Sequence, residues 1–169
     1  MTGDVSIEHA RDGDLPAILG ILNHYIQNDH CTFDTEPWSV AQKQAWFDAH
    51  DSAGPYQLLV AREGSEVLAY VHSDRWRPKK AYNVTVETTV YVAPFAHGRG
   101  LGQRLMETLF ESIHGNGLHS AVAGVTQPNA ASDALHLKLG FEKVGTFREV
   151  GYKFGQFHDV TWYRKALGH

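Results

Sequence analysis

VYVAPFAHGRGLGQRLMETLF, residues Val90–Phe110, places a strand, a glycine loop and a helix in immediate succession. A run of β-formers stops at Pro94, and Gly98, Arg99, Gly100 and Gly102 follow at once. Leu101, Leu105, Leu109 and Ile113 then recur every four residues, which predicts a helix running to the GNG at 115–117. Glycines between a strand and a helix permit positive φ and close approach of the backbone to a ligand. The free N–H groups and dipole of a helix start attract an anion, and Arg99 adds a fixed positive charge. A phosphate is the natural ligand of such a loop; a tight turn needing glycine for geometry alone is the competing reading. The spacing fits neither G-x-x-x-x-G-K-[ST] nor G-x-G-x-x-G.

Working outward, VSIEHA (5–10) reads as a first strand. Leu15, Ile18, Leu19, Leu22, Tyr25 and Ile26 form the apolar stripe of a helix that opens near Asp14 and Pro16. Ser39 with Gln42 three residues on is a capping-box signature, so residues 39–50 predict a second helix, broken by DSAGP. YQLLVARE (56–63) and EVLAYVHSDRW (66–76) flank Gly64–Ser65 as a hairpin, and RPKKA separates it from a longer strand over 82–93. SAVAGVT (120–126) predicts a buried strand. Residues 130–140 predict a short helix stopped by Gly140. Two last strands, near Phe141–Val150 and Phe157–Lys165, flank a turn around Gly155. The order β-α-α-β-β-β-α-β-α-β-β excludes a regular βαβ alternation. The class is α+β with a mixed sheet, and residues 1–169 read as a single domain without internal repeat or linker.

The composition, 43% hydrophobic and 20% charged, is that of a soluble globular protein. A formal net charge of −4 argues against a nucleic-acid partner. Apolar runs such as AILGIL are too short to span a bilayer, and the N-terminal stretch lacks a signal-peptide pattern. Cys31 is the only cysteine, so no internal disulfide forms and a cytoplasmic location is expected. Eleven histidines are scattered without HExxH or CxxC spacing, so no metal is expected.

HGRGLG, 97–102, resembles the pyrophosphate loop [QR]-x-x-G-x-[GA] of the GNAT superfamily of acetyl-CoA-dependent N-acetyltransferases, with His97 in place of Gln or Arg. NAASDALHLKLGF, 129–141, resembles its second signature, with His136 where many members have Tyr. FDTEP, WRPKKAYNVTVETTVYV, LHLKLGFEKVG and VGYKFGQFHDV extend the likeness over nearly the whole chain, to the phosphinothricin and methionine-sulfoximine acetyltransferase group. The resemblance implies the GNAT fold, a central mixed sheet flanked by about four helices. It also implies acetyl-CoA as donor, a small amine or amino-acid acceptor, and a homodimer. The acceptor itself is left open, with a protein N-terminus, a polyamine, or a non-catalytic acetyl-CoA-binding module as alternatives.

Transfer to an amine requires its neutral form, and an α-amino group of pKa about 8 is only about a tenth neutral at pH 7. Glu87, charged within the β-branched TVETTVYV, is costly to bury without partners. By resemblance it is the general base, although an outward-facing solvated glutamate fits the pattern too. His136 is a candidate proton donor to the leaving thiolate, or a packing residue, and His158 is read as structural. The resemblance pairs the backbone of Val90, Tyr91 and Val92 with the pantetheine arm, one amide polarising the thioester carbonyl. It also assigns Asn129 to the arm and Gly98, Arg99, Gly100, Leu101, Gly102 and Gln103 to the phosphates. Arg75 and Arg77 alternate around Trp76, which predicts one strand face carrying an arginine fork for carboxylate or phosphinate. Arg77, Lys79, Glu87, Thr88 and Thr89 are the acceptor contacts implied by the resemblance, and Phe33 and Trp76 supply an apolar wall. RWRPKK as a solvated rim is the plainer reading.

Overall fold

The computed structural model describes residues 3–168. Strand β1, Val5–His9, leads into α1, Leu15–Asn28, and α2, Val40–Asp48. Pro16 occupies the first turn of α1, where its missing N–H costs nothing, and Leu15, Ile18, Leu19, Leu22 and Ile26 turn inward as their spacing requires. The α2 capping box is complete: Gln42 N donates to Ser39 Oγ at 3.3 Å, and Ser39 N donates to Gln42 Oε1 at 2.9 Å.

The sheet follows with β2, Leu58–Glu63, β3, Glu66–Arg75, and β4, Thr85–Val92. Next come α3, Leu101–Ile113; β5, Ser120–Thr126; α4, Ala130–Lys138; β6, Glu142–Lys153; and β7, Gln156–Ala166. The element order read from the sequence is the observed one. One boundary differs: the strand predicted from Tyr82 begins at Thr85, because Lys80–Val84 form a short 3-10 turn in which Tyr82 N bonds Lys79 O. Val84 is exposed, and the alternation becomes a half-buried face only from Thr85 onward.

Seven strands form one sheet in the order β1-β2-β3-β4-β5-β7-β6. Only β4 and β5 run parallel; the other neighbours are antiparallel. Tyr70, Leu59 and Leu68 from the sheet pack with Ile18 and Ile26 of α1 and with Leu105, Met106 and Leu109 of α3 in a continuous core. Burial of each such side chain contributes about 1.5–3 kcal/mol.

The parallel pair is what positions the site. Its register is Thr85↔Ser120, Val86↔Ala121 and Glu87↔Val122, and it stops there. Beyond Glu87, β4 continues against β3 to Val92, while β5 continues against β7 to Thr126. The two strands separate, leaving a wedge-shaped gap within the sheet.

Candidate active site

A cavity of about 640 Å³ occupies the gap, lined by Thr88–Val92 on one wall and Ala123–Thr126 on the other. Ala93 N donates to Leu68 O of β3, whereas Val92 O accepts from the Tyr25 hydroxyl of α1. Because backbone groups alternate sides along a strand, those of Thr88 and Val90 face the gap as Val92 does. An extended ligand in the gap therefore meets a strand edge ready to pair.

At the wide end lies the glycine loop. Gly98 and Gly100 take φ of 79° and 70°, a region costly for residues with a Cβ, and Gly100 is the N-cap of α3. No side chain caps α3, and its first turn holds no acidic residue. The free N–H groups of Leu101, Gly102 and Gln103 thus remain for an anion at the positive end of the helix dipole. All three residues, with Gly98, Gly100 and His97, line the cavity. Arg99 does not: its guanidinium turns to β2 and pairs with Glu63 Oε1 at 2.9 Å. It fastens the loop instead of supplying the charge expected of it, while Lys138 of α4 does border the cavity.

On α4, Asn129 is the N-cap. Its Oδ1 accepts Ser132 N at 3.1 Å, which leaves its side-chain amide as the donor toward the cavity it lines. His136 also lines the cavity and is 4% exposed. Its Nδ1 donates to the Ser132 carbonyl at 2.7 Å, and its ring stacks on Tyr163 at 5.5 Å. Burial lowers its pKa, against the raising influence of Ser132 O and Asp133. The Nδ1 contact and the stacking hold the ring in the cavity wall, on the side where the sequence places it.

Glu87 stands at the apex, on the last paired position before the strands part. Burial raises its pKa, and the charge of Asp74, its cross-strand partner, adds to that while Arg77 opposes it. A carboxylate with raised proton affinity suits a general base. Next to it, the Thr88 hydroxyl is buried and without a hydrogen-bond partner, on a residue that lines the cavity. Thr89 lines it too.

The acceptor-side expectations are met only in part. Strand β3 ends at Arg75, so Arg75 and Arg77 do not share a strand face. Pro78 follows, and Arg77 instead lays its guanidinium over the Trp76 ring at 4.7 Å, with Tyr82 at 6.0 Å. Trp76, Arg77 and Lys79 lie outside the cavity lining, as does Phe33. The Phe33 ring rests on Gly151, where a Cβ would fall 2.1 Å from its Cζ, and near His158. His158 is buried, bonds Lys153 O at 3.1 Å, and stacks on His30, in keeping with a structural role.

Three features escaped the sequence. Tyr25, Asp29, His30 and Cys31 wall the cavity from the end of α1, brought there by packing of Tyr25 on Tyr91 at 5.5 Å. Buried Lys153 ties down the same segment, donating to Asp29 O and Thr32 O at 2.8 Å each. His50, His72 and Asp74 converge beside Glu87: His50 Nε2 lies 2.6 Å from Asp74 Oδ1, and His72 Nδ1 lies 2.8 Å from Asp74 Oδ2.

An open internal strand edge ending on an uncapped helix N-terminus is the arrangement that holds an extended pantetheine arm with its pyrophosphate, and residues 23–141 match the acetyltransferase (GNAT) family. The chain belongs to that family. It is 45% identical over 168 residues to phosphinothricin N-acetyltransferase of Streptomyces coelicolor, covering 98% of each chain. It is 42% identical to the L-methionine sulfoximine/L-methionine sulfone acetyltransferase of Pseudomonas aeruginosa, covering 96% of this chain and 94% of that one. A GNAT-superfamily phosphinothricin acetyltransferase from Sinorhizobium meliloti, solved in complex with acetyl-CoA, superposes with a TM-score of 0.92 at 28% identity, covering 99% of this chain and 90% of that one. The fold is the GNAT fold, and the chain is an acetyl-CoA-dependent N-acetyltransferase.

Proposed function

We propose that this acetyltransferase acts on the amino group of a small amino-acid-like acceptor of the phosphinothricin or methionine sulfoximine type, with Glu87 as general base. The observation that carries the reading is Glu87 at the apex of the gap, with raised proton affinity and within the field of Arg77. The names of the relatives at 42–45% identity support the acceptor class.

In this reading the glycine loop and the start of α3 hold the pyrophosphate, and the Thr88–Val92 edge holds the pantetheine arm. The amide of Val90, which faces the gap, polarises the thioester carbonyl. Glu87 takes a proton from the acceptor ammonium, and the neutral amine attacks the acyl carbon. The C–N bond forms, the C–S bond breaks, and coenzyme A leaves with the electron pair of the C–S bond and takes up the proton that the attacking nitrogen sheds, departing as the free thiol. Attack is direct. Cys31, the cavity's only thiol, is pushed up to about 12 by burial and by the neighbouring charge of Asp29, so it stays protonated and weakly nucleophilic. Arg77, stacked on Trp76 and acting on Glu87 through its charge, provides the cation for the acceptor's carboxylate or phosphinate.

We infer further that the working unit is a homodimer in the cytoplasm, with the chain as one acetyltransferase domain. Strand β6 is an edge strand, and the β6–β7 hairpin exposes Val144, Phe147, Tyr152, Phe154 and Phe157. A second copy would cover that edge and its aromatic face. No helix among the described residues is long and apolar enough to cross a membrane.

A thiol-release assay tests the acceptor. Phosphinothricin and methionine sulfoximine should be acetylated, and their decarboxylated analogues poorly. Arg77→Met should lower kcat/KM for the acids by roughly tenfold to a hundredfold, the worth of a charge-assisted bond of about 1.5–3 kcal/mol, and spare the analogues. Preference for spermidine over every amino acid would overturn the acceptor class.

A further inference from the structure

Asp74 and Glu87 are direct cross-strand partners on β3 and β4, so two carboxylates share one face of the sheet. Like charges so placed are destabilising unless something holds them. Three side chains hold Asp74. His50, just past α2, approaches one oxygen at 2.6 Å; His72 of β3 and the Trp46 indole, at 2.8 and 3.3 Å, approach the other. His50 Nδ1 meets the Trp46 carbonyl at 2.8 Å, so the ring has an acceptor at each nitrogen, and a ring carrying both protons donates to both. Its side chain is 4% exposed, so this contact is built into the packing. Trp46 packs edge-on against both imidazoles, at 4.9 Å from His50 and 5.1 Å from His72.

We propose that Asp74, pinned as an anion by His50 and His72, is a positioning residue that sets the pH at which Glu87 becomes able to accept the acceptor's proton. The inference rests on Glu87 being the base. Besides Asp74, which His50 and His72 flank, the charged group that acts on Glu87 is Arg77 from the segment after β3. The facing stretch of β5, Ala121–Ala123, carries none. Asp74 strengthens the hold of Glu87 on a proton and Arg77 weakens it, so the two act in opposite senses. The histidines keep Asp74 ionised: burial alone would raise its carboxyl, but their contacts and charge outweigh that and hold it well below the usual carboxylate range.

The test is the acid limb of kcat/KM against pH for methionine sulfoximine, where the acceptor's own titration is common to every variant. Asp74→Asn, nearly isosteric, should move the limb to lower pH; Arg77→Met, which removes the opposing charge, should move it to higher pH. A purely structural role would lower rates without moving the limb, or move it the same way in both. Glu87→Gln should abolish the limb and lower turnover about a hundredfold or more. A folded Asp74→Asn protein with an unmoved limb overturns the inference while leaving Glu87 as base. Should that variant not fold, an unmoved limb in Asp74→Ser does the same. Wild-type turnover and an intact limb in Glu87→Gln overturn the base itself.

Discussion

Thr88 carries the most informative side chain of the site because its hydroxyl has nothing to bond. An unsatisfied buried hydroxyl costs about 1–3 kcal/mol, and native folds keep few of them. This one sits where β4 loses its partner strand, in the lining of the cavity. Thr88→Val retains the shape and deletes the hydroxyl. The expected outcome is a protein more stable by roughly 1 kcal/mol in urea unfolding, yet lower in kcat/KM by about twofold to tenfold, the worth of one neutral hydrogen bond to a ligand. Unchanged activity would return Thr88 to a plain core residue. His136 illustrates the limit of reading chemistry from residue type. The sequence marked it as a residue of the cofactor's side, and it lines the cavity, but the contacts that fix its ring there, with the Ser132 carbonyl and the Tyr163 ring, come only with the fold.

At the scale of elements, the loop before α3 makes a sharp claim. Gly100 has φ of 70° with no atom within 4 Å of where a Cβ would project, so a side chain there meets backbone strain and the ligand's space, not the core. Gly100→Val should therefore weaken coenzyme A binding at least tenfold in calorimetry, while a strain of about 1–2 kcal/mol leaves the fold intact. Unaltered affinity in the folded variant would remove the loop from the phosphate site. The elements themselves were legible because their signals are local: the apolar stripe of α3, the Ser39–Gln42 capping box, and Gly140 ending α4. The start of β4 was not, because Tyr82 and Val84 are β-formers whose neighbours give them no sheet to join. The convergence of His50 with Asp74 was illegible for another reason. They lie 24 residues apart, and only the packing of α2 on β3 joins them.

At the scale of the whole molecule, the sheet offers a long, apolar outer edge in β6. If a second copy covers it, Phe157→Glu should convert a dimer to a monomer in light scattering, with little loss of stability per chain, since Phe157 is 64% exposed. A wild-type protein that runs as a monomer at every concentration would refute the dimer. The gap between β4 and β5 has a different consequence. It is an edge in the middle of a sheet, where strand pairing ends at Glu87 although both strands run on. The architecture is thus one strand short, and in the proposed reading the extended arm of the donor takes that strand's place. Catalysis and folding then draw on the same hydrogen bonds: a chain holding its cofactor at a hundred times the dissociation constant gains about 2.7 kcal/mol against unfolding. Each turnover, by releasing coenzyme A, briefly takes that strand away and returns the protein to its least stable form.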